Sequence, residues 1–205
     1  MKIINVLMLA SLLCACAPLT ARKGEEPARN YPVFLQNGIS FAAFKASADY
    51  DGQAFNALLT LKREGQNISV KLTGDFAATL LQADYDGASF TYAAAPAQLS
   101  ERAKGVFEDI IKALTAAPEG FINATSADKS GSYKINFKNN GFLNRYYFKK
   151  GLSFPYRLEQ IKVVINKVFL FDDYEVYGQN TLPQNITVRD AHALAQVKLK
   201  LLSVK

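Results

Sequence analysis

Apolar positions along this chain keep two periods, and the switches between them divide it. From near Gly38 the period is two. Phe55, Ala57, Leu59 and Leu61 alternate with mostly polar or small neighbours, and Ile68, Val70 and Leu72 alternate again after a Glu64-Gly65-Gln66-Asn67 turn. Such alternation marks strands with one face in a core and one in water. Gly74-Asp75-Phe76 interrupts it, Thr79 to Tyr85 resumes it, and Phe90-Thr91-Tyr92 closes the run. Asp51-Gly52 and Asp86-Gly87 read as hairpin turns, because both residue types tolerate the positive φ that tight hairpins require. At least four short antiparallel strands are predicted here.

The period then lengthens. Between Pro96 and Ala117, the residues Leu99, Ala103, Val106, Phe107, Ile110, Ile111 and Leu114 fall on one helical stripe. Ser100 can open this helix, and Pro118 and Gly120 end it. A helix over 97–116 is predicted, either packed on a core or laid over the mouth of a sheet. Strands resume at Tyr133, Ile135 and Phe137, turn at Asn139-Asn140-Gly141, and continue over 145–149, 157–168, 174–177, 185–189 and 193–204. In the last, Val197, Leu199 and Leu201 alternate with Lys198 and Lys200, giving one dry and one wet face. No internal repeat is present. Strands, one or two helices, then more strands predict a single α+β domain.

The N-terminus follows neither period. Lys2 precedes an apolar run from Ile3 to Leu13, followed by small residues and cysteine. That order is a bacterial export signal, and the run is roughly half of the ~20 apolar residues a membrane-spanning helix needs. Leu13-Cys14-Ala15-Cys16 resembles the bacterial lipobox, with Leu at −3, a small residue at −1 and an obligatory Cys. Cys14 fits less well, since Leu13 would then occupy the −1 position. Diacylglycerol attachment to Cys16, cleavage before it and acylation of the new amine are expected, with palmitate among the chains; the alternative is a secreted protein cleaved a few residues later. Two or more acyl chains anchor stably, at about 0.8 kcal/mol per buried methylene. Ala17 follows the Cys, where Asp would favour inner-membrane retention in enteric bacteria. The expected organisation is a signal peptide over 1–15, a lipidated N-terminus and flexible tether over 16–37, polar and proline-broken through 17–32, and a folded domain over 38–205.

Composition narrows the chemistry. The chain has 205 residues, so the part after the leader can bury one substantial core. Cys16 is its only cysteine, which removes disulfides, thiol catalysis and Cys-based metal sites. A net charge of +6 suits contact with anionic lipid or glycolipid headgroups or a solvated surface. The basic residues are too scattered to indicate nucleic acid. Plentiful Phe and Tyr without Trp fit a β-rich protein. The single histidine, His192, stands in a turn-like Asp190-Ala191-His192-Ala193, with no Gly-x-Ser-x-Gly elbow to serve. Asp172, Asp173 and Glu175 lack calcium-loop spacing and read as a strand-edge turn. There is no phosphate-binding glycine loop and no zinc spacing. No enzymatic activity, cofactor or metal is expected.

From Ala54 to Lys205 the order of these features resembles the LolA/LolB-like lipoprotein-carrier fold, and within it the anchored LolB-like proteins. The matching features are two strands leading into Gly74-Asp75-Phe76-Ala77, a strand pair, the helix at 97–116, a Leu182-Pro183 turn and the ending Val197-Lys-Leu-Lys-Leu201. The chain departs in lacking Trp and in a longer 118–145 connection, which leaves room for another lipid ligand. The resemblance implies an antiparallel incomplete β-barrel, a half-barrel, with helices covering the open side and an apolar cavity for acyl chains. The candidate lining is Phe55, Leu59, Leu61, Ile68, Val70, Leu72, Phe107, Ile110, Leu114, Tyr133, Ile135, Phe137, Val197 and Leu199. A packed core would show the same alternation. The resemblance also implies a protruding loop that dips an apolar residue, here Phe76, into a membrane; the alternative is Phe76 folded onto the rim. Implied partners are acyl chains of lipoproteins or lipids, the membrane surface through the N-terminal lipid, and a periplasmic carrier protein. The expected place is the outer membrane of a Gram-negative bacterium, facing the periplasm. The alternative function is an accessory envelope lipoprotein, supporting an assembly or an aryl-polyene-type glycolipid pathway without a lipid cavity.

Overall fold

The computed structural model describes residues 29–50, 53–95, 101–126, 129, 131–139, 142–162, 165–191 and 195–205. Five strands come first: β1 (Phe41–Tyr50), β2 (Gln53–Glu64), β3 (Asn67–Thr73), β4 (Thr79–Tyr85) and β5 (Phe90–Ala94). The helix α1 (Glu101–Thr115) follows. Seven further strands are β6 (Phe121–Ser126), β7 (Tyr133–Asn139), β8 (Phe142–Phe148), β9 (Pro155–Ile161), β10 (Ile165–Tyr177), β11 (Asn180–Asp190) and β12 (Ala195–Val204). Leader, Cys16, the hairpin residues Asp51-Gly52, the helix-opening Ser100 and His192 lie outside the described residues.

All twelve strands form one antiparallel sheet in the order β5-β4-β3-β2-β1-β12-β11-β10-β9-β8-β7-β6. Strands consecutive in the chain pair with each other except β5 and β6, and the first and last strands meet in the middle. The two free edges are β5 and β6, so the sheet is unclosed and the connection from one edge to the other carries α1. Two hairpins turn on glycine: Glu64 faces Asn67 across Gly65 (φ 66°), and Tyr177 faces Asn180 across Gly178 (φ 60°). A side chain at those φ values would be strained, which is why the two-residue turn selects Gly there.

Several expectations change. The strand expected over 157–168 is a hairpin, β9 turning into β10, and 174–177 is the far end of β10. Asp172, Asp173 and Glu175 thus lie inside a strand and not in a turn; Asn185 donates to Asp173 and the Tyr177 hydroxyl to Glu175. Among the described residues no group of acidic, His or Cys side chains could hold a metal. Leu182-Pro183 lies within β11, where Pro183 pairs with Tyr174 of β10 and falls outside the β12 ladder, so its missing N–H costs no bond. β1 and β6 show too little size contrast to stand out by alternation. The tether expected through residue 37 stops earlier: Val33, Phe34 and Leu35 are buried. The Phe34 N–H donates to the Leu114 carbonyl at 2.6 Å, and Arg63 Nε donates to the Leu35 carbonyl at 2.9 Å. Flanking proline and polar residues conceal this short apolar plug in the sequence.

Among the described residues α1 is the only α-helix, where helices in the plural were expected over the open side. No described helix is long and apolar enough to cross a membrane. Val106, Ile110, Ile111 and Leu114 bury its stripe in the same core as both halves of the sheet. Polar ties hold its flanks. The Tyr92 hydroxyl of β5 donates to Glu108 at 2.9 Å, while Lys167 of β10 reaches Asp109 at 2.6 Å and Asp190 at 2.9 Å.

Candidate functional site: an apolar cavity beside the helix

The interior is filled unevenly. Towards the C-terminal end of α1 it is packed with Phe34, Phe44, Phe137, Phe148 and Phe169, all fully buried. Edge-on and stacked rings, such as Phe34 on Phe44 at 5.0 Å between centroids, leave no room there. Towards the N-terminal end a cavity of about 310 Å³ remains. It lies in the size range of small-ligand sites.

Its walls come from distant parts of the chain. β1 supplies Ala46, Ala48 and Asp49, β2 supplies Phe55 and Leu59, and β3 and β4 supply Leu72, Leu80 and Leu81. The helix contributes Ala103, Val106, Phe107 and Ile110, and β12 contributes Ala195, Val197 and Leu199. Small side chains leave the space: Ala46 and Ala48 on β1, Ala195 on β12 and Ala103 on α1 all line it, whereas the packed half carries phenylalanines. Asp49 is the one charged lining group, and it is exposed. Such walls can hold an aliphatic chain and provide no acid, base or nucleophile inside. The polar groups nearest the helix are structural. Burial, and then the bond to Glu108, push the Tyr92 hydroxyl far above the usual tyrosine range.

Half of the candidate lining is brought together here: Phe55, Leu59, Leu72, Phe107, Ile110, Val197 and Leu199. Leu61, Ile68, Val70, Leu114, Ile135 and Phe137 point inward but are buried in packed core. Tyr133 lies apart, stacked on Phe148 at 5.0 Å with the Arg29 guanidinium over its ring. Alternation identifies the inward face of a strand, and it is silent on whether the opposite wall fills the gap. Ala46, Ala48, Asp49, Leu80, Leu81, Ala103, Val106 and Ala195 were missed as lining; Ala103 and Val106 lie on the helical stripe the sequence does show, whereas the small residues of β1 offer too little size contrast to mark a wall. A second cavity of about 240 Å³, polar and lined in part by Asn30, Gln36, Asn37 and Asn180, lies where residues 29–37 meet the β10–β11 turn.

Phe76 stands on a single 3-10 turn, Asp75–Ala77, between β3 and β4, closed by the Gly74 N–H donating to the Ala78 carbonyl at 2.9 Å. Its relative exposure is 104%, so it is not folded onto the rim. Phe76 and Ala77 both take left-handed backbone, at φ 56° and 59°. Non-glycine residues there cost roughly 1–3 kcal/mol each.

No family model and no curated protein matches the sequence. Among solved structures, a LolA superfamily protein from Nitrosomonas europaea is similar over 85% of this chain and 88% of its own, with a TM-score of 0.58 and 13% identity. A structure described as an outer membrane lipoprotein-sorting protein domain from Vibrio parahaemolyticus is similar over 82% of this chain and 85% of its own, with a TM-score of 0.54 and 15% identity. At such identities the likeness is one of fold. With its unclosed antiparallel sheet curved around an apolar interior, the chain has a LolA/LolB-like fold.

Proposed function

We propose that this protein is a lipoprotein anchored in the outer membrane through Cys16 and facing the periplasm, which holds acyl chains of lipoproteins or lipids in the α1 cavity and receives or shuttles them. The observation that carries this reading is the cavity of about 310 Å³ with apolar walls and one exposed carboxylate. A chain moving from a bilayer or a carrier into such a cavity exchanges one apolar surrounding for another, so transfer runs near equilibrium without catalytic groups. The protein is not an enzyme on this reading. A periplasmic carrier presents the cargo, and Phe76 enters the acceptor bilayer when cargo leaves. The lipoprotein-sorting description of the Vibrio structure supports the choice of cargo.

The test is ligand extraction. The full chain carrying Cys16→Ala, purified without detergent, releases phospholipid or acylated peptide detectable by native mass spectrometry. Adding Ala48→Phe fills the cavity and removes most of that ligand while leaving the protein folded. The Cys16→Ala chain also takes up no radiolabelled palmitate. A protein free of lipid, with fluorescent fatty acid bound equally by the Ala48→Phe variant, favours the accessory-lipoprotein alternative.

A further inference from the structure

A single register row crosses the outer face of the sheet, starting at the Phe76 turn. Thr73 at the end of β3 stands opposite Leu58 of β2, Leu58 opposite Lys45 of β1, and Lys45 opposite Lys200 of β12. Lys198, two residues from Lys200 on the same face, stands opposite Ser47. Lys45, Lys198 and Lys200 are exposed, while their chain neighbours Phe44, Ala46, Leu199 and Leu201 are buried on the other side. Among the described residues none of the three lysines forms an ion pair. The next carboxylate along the row, Asp172, stands two strands beyond Lys200 through Asn185, about 10 Å away at ordinary strand spacing.

Like charges directly opposite one another destabilise a ladder, and nothing in the packing calls for Lys45 to face Lys200. The same face leaves large apolar side chains in water. Leu58 is 40% exposed and Leu202, the extra residue of the bulge opposite Ala43 and Phe44, is 54% exposed. Three strand spacings, about 14 Å, separate the head of the row beside the Phe76 turn from Lys200. Unpaired cations interleaved with single exposed apolar side chains suit a surface that is anionic outside and apolar just beneath.

We infer that this outer face docks on an anionic membrane surface, with Lys45, Lys198 and Lys200 on headgroup phosphates and Leu58, Leu202 and Phe76 at the edge of the acyl layer. The inference rests on the envelope placement proposed above and is independent of the cavity. An acidic protein would satisfy the lysines, but it would not account for a fully exposed phenylalanine at the head of the row.

Co-sedimentation of the full chain carrying Cys16→Ser tests it, using vesicles of phosphatidylcholine alone or mixed equally with phosphatidylglycerol. Binding to the mixed vesicles exceeds binding to the neutral ones and weakens as salt is raised. Each lysine exchanged for serine weakens it about fivefold, and the Lys45→Ser/Lys198→Ser/Lys200→Ser protein binds roughly a hundredfold less. The melting temperature of that protein does not fall, since the Lys45–Lys200 repulsion is relieved, and its fatty-acid binding stays unchanged, which separates this face from the cavity. Lys200→Glu is the second variant and loses more than Lys200→Ser. Unchanged binding of the folded triple variant to mixed vesicles overturns the inference. So does equal binding to both vesicle types, or a dependence on the lysines seen only with an acidic protein. A Cys16→Ser chain that binds mixed vesicles in this lysine-dependent way but takes up no fatty acid would support the inference and strike only the cavity reading.

Discussion

At the scale of single residues, the most unusual placement is Phe76, a large aromatic held in water on left-handed backbone. Turn chemistry favours small polar residues at such positions, so neither burial nor turn geometry accounts for it. Phe76→Ala therefore changes stability by no more than about 0.5 kcal/mol, whereas a buried Phe would cost about 3–5 kcal/mol. Transfer of acylated cargo to liposomes, measured in the same preparation, falls. A clear drop in melting temperature with transfer unchanged would remove Phe76 from the mechanism. The alanines carry the opposite message. Ala46, Ala48, Ala103 and Ala195 are unremarkable in the sequence, yet together they make the cavity.

At the scale of elements, α1 is one amphipathic stripe with two environments. Leu114 is fully buried against Phe34 and the packed half, so Leu114→Ala costs about 2–5 kcal/mol in chemical unfolding. Ala103 faces the cavity, and Ala103→Leu raises stability by about 0.5–2 kcal/mol while lowering fatty-acid affinity. The tie from α1 to β10 is an ion-pair cluster with a definite pH signature. Burial alone would push the Lys167 ammonium down, but Asp109 and Asp190 outweigh it and hold its pKa above the ordinary lysine range. A raised folded-state pKa gives stability that is fully present below the unfolded value of about 10.4 and lost as pH climbs through the folded one. Unfolding free energy thus declines on the alkaline side, and Lys167→Met flattens that decline. The same substitution costs about 3–5 kcal/mol near neutrality by taking the cation from a buried carboxylate.

At the scale of the molecule, the sheet is a continuous ladder whose chain ends are joined in its centre and whose two free edges flank the helix connection. Protection from hydrogen exchange follows that order. Amides of β1, β2, β11 and β12, bonded on both sides near the middle, exchange slowest, and those of β5 and β6 exchange fastest among the strands. Saturating fatty acid slows exchange in the N-terminal half of α1, where the cavity is, and leaves β7 and β8 unaffected. Uniform slowing across the sheet would point to general stabilisation and away from occupancy of that half.

What the sequence determined by itself was local. β4 was delimited over Thr79–Tyr85, the helix predicted over 97–116 contains all of α1, and the inward face of β2, β3, β7 and β12 was legible, because a period of two or of 3.6 is set by neighbours a few residues apart. The turn at Gly74-Asp75-Phe76 could be singled out for the same reason, as a break in the period, while the choice between an exposed Phe76 and one folded onto the rim was left to the structure. Pairing of β1 with β12, burial of Val33-Phe34-Leu35 and the division of the interior into a filled and a hollow half were decided by tertiary structure. Each depends on residues that are distant in the chain, as Phe34 is from Leu114 and β1 from β12. Whether Leu59 faces space and Leu61, two residues on, faces packed core depends on what side-chain volume the opposite wall supplies. That volume is a sum over α1, β1, β12 and the N-terminal plug, and no single segment contains it.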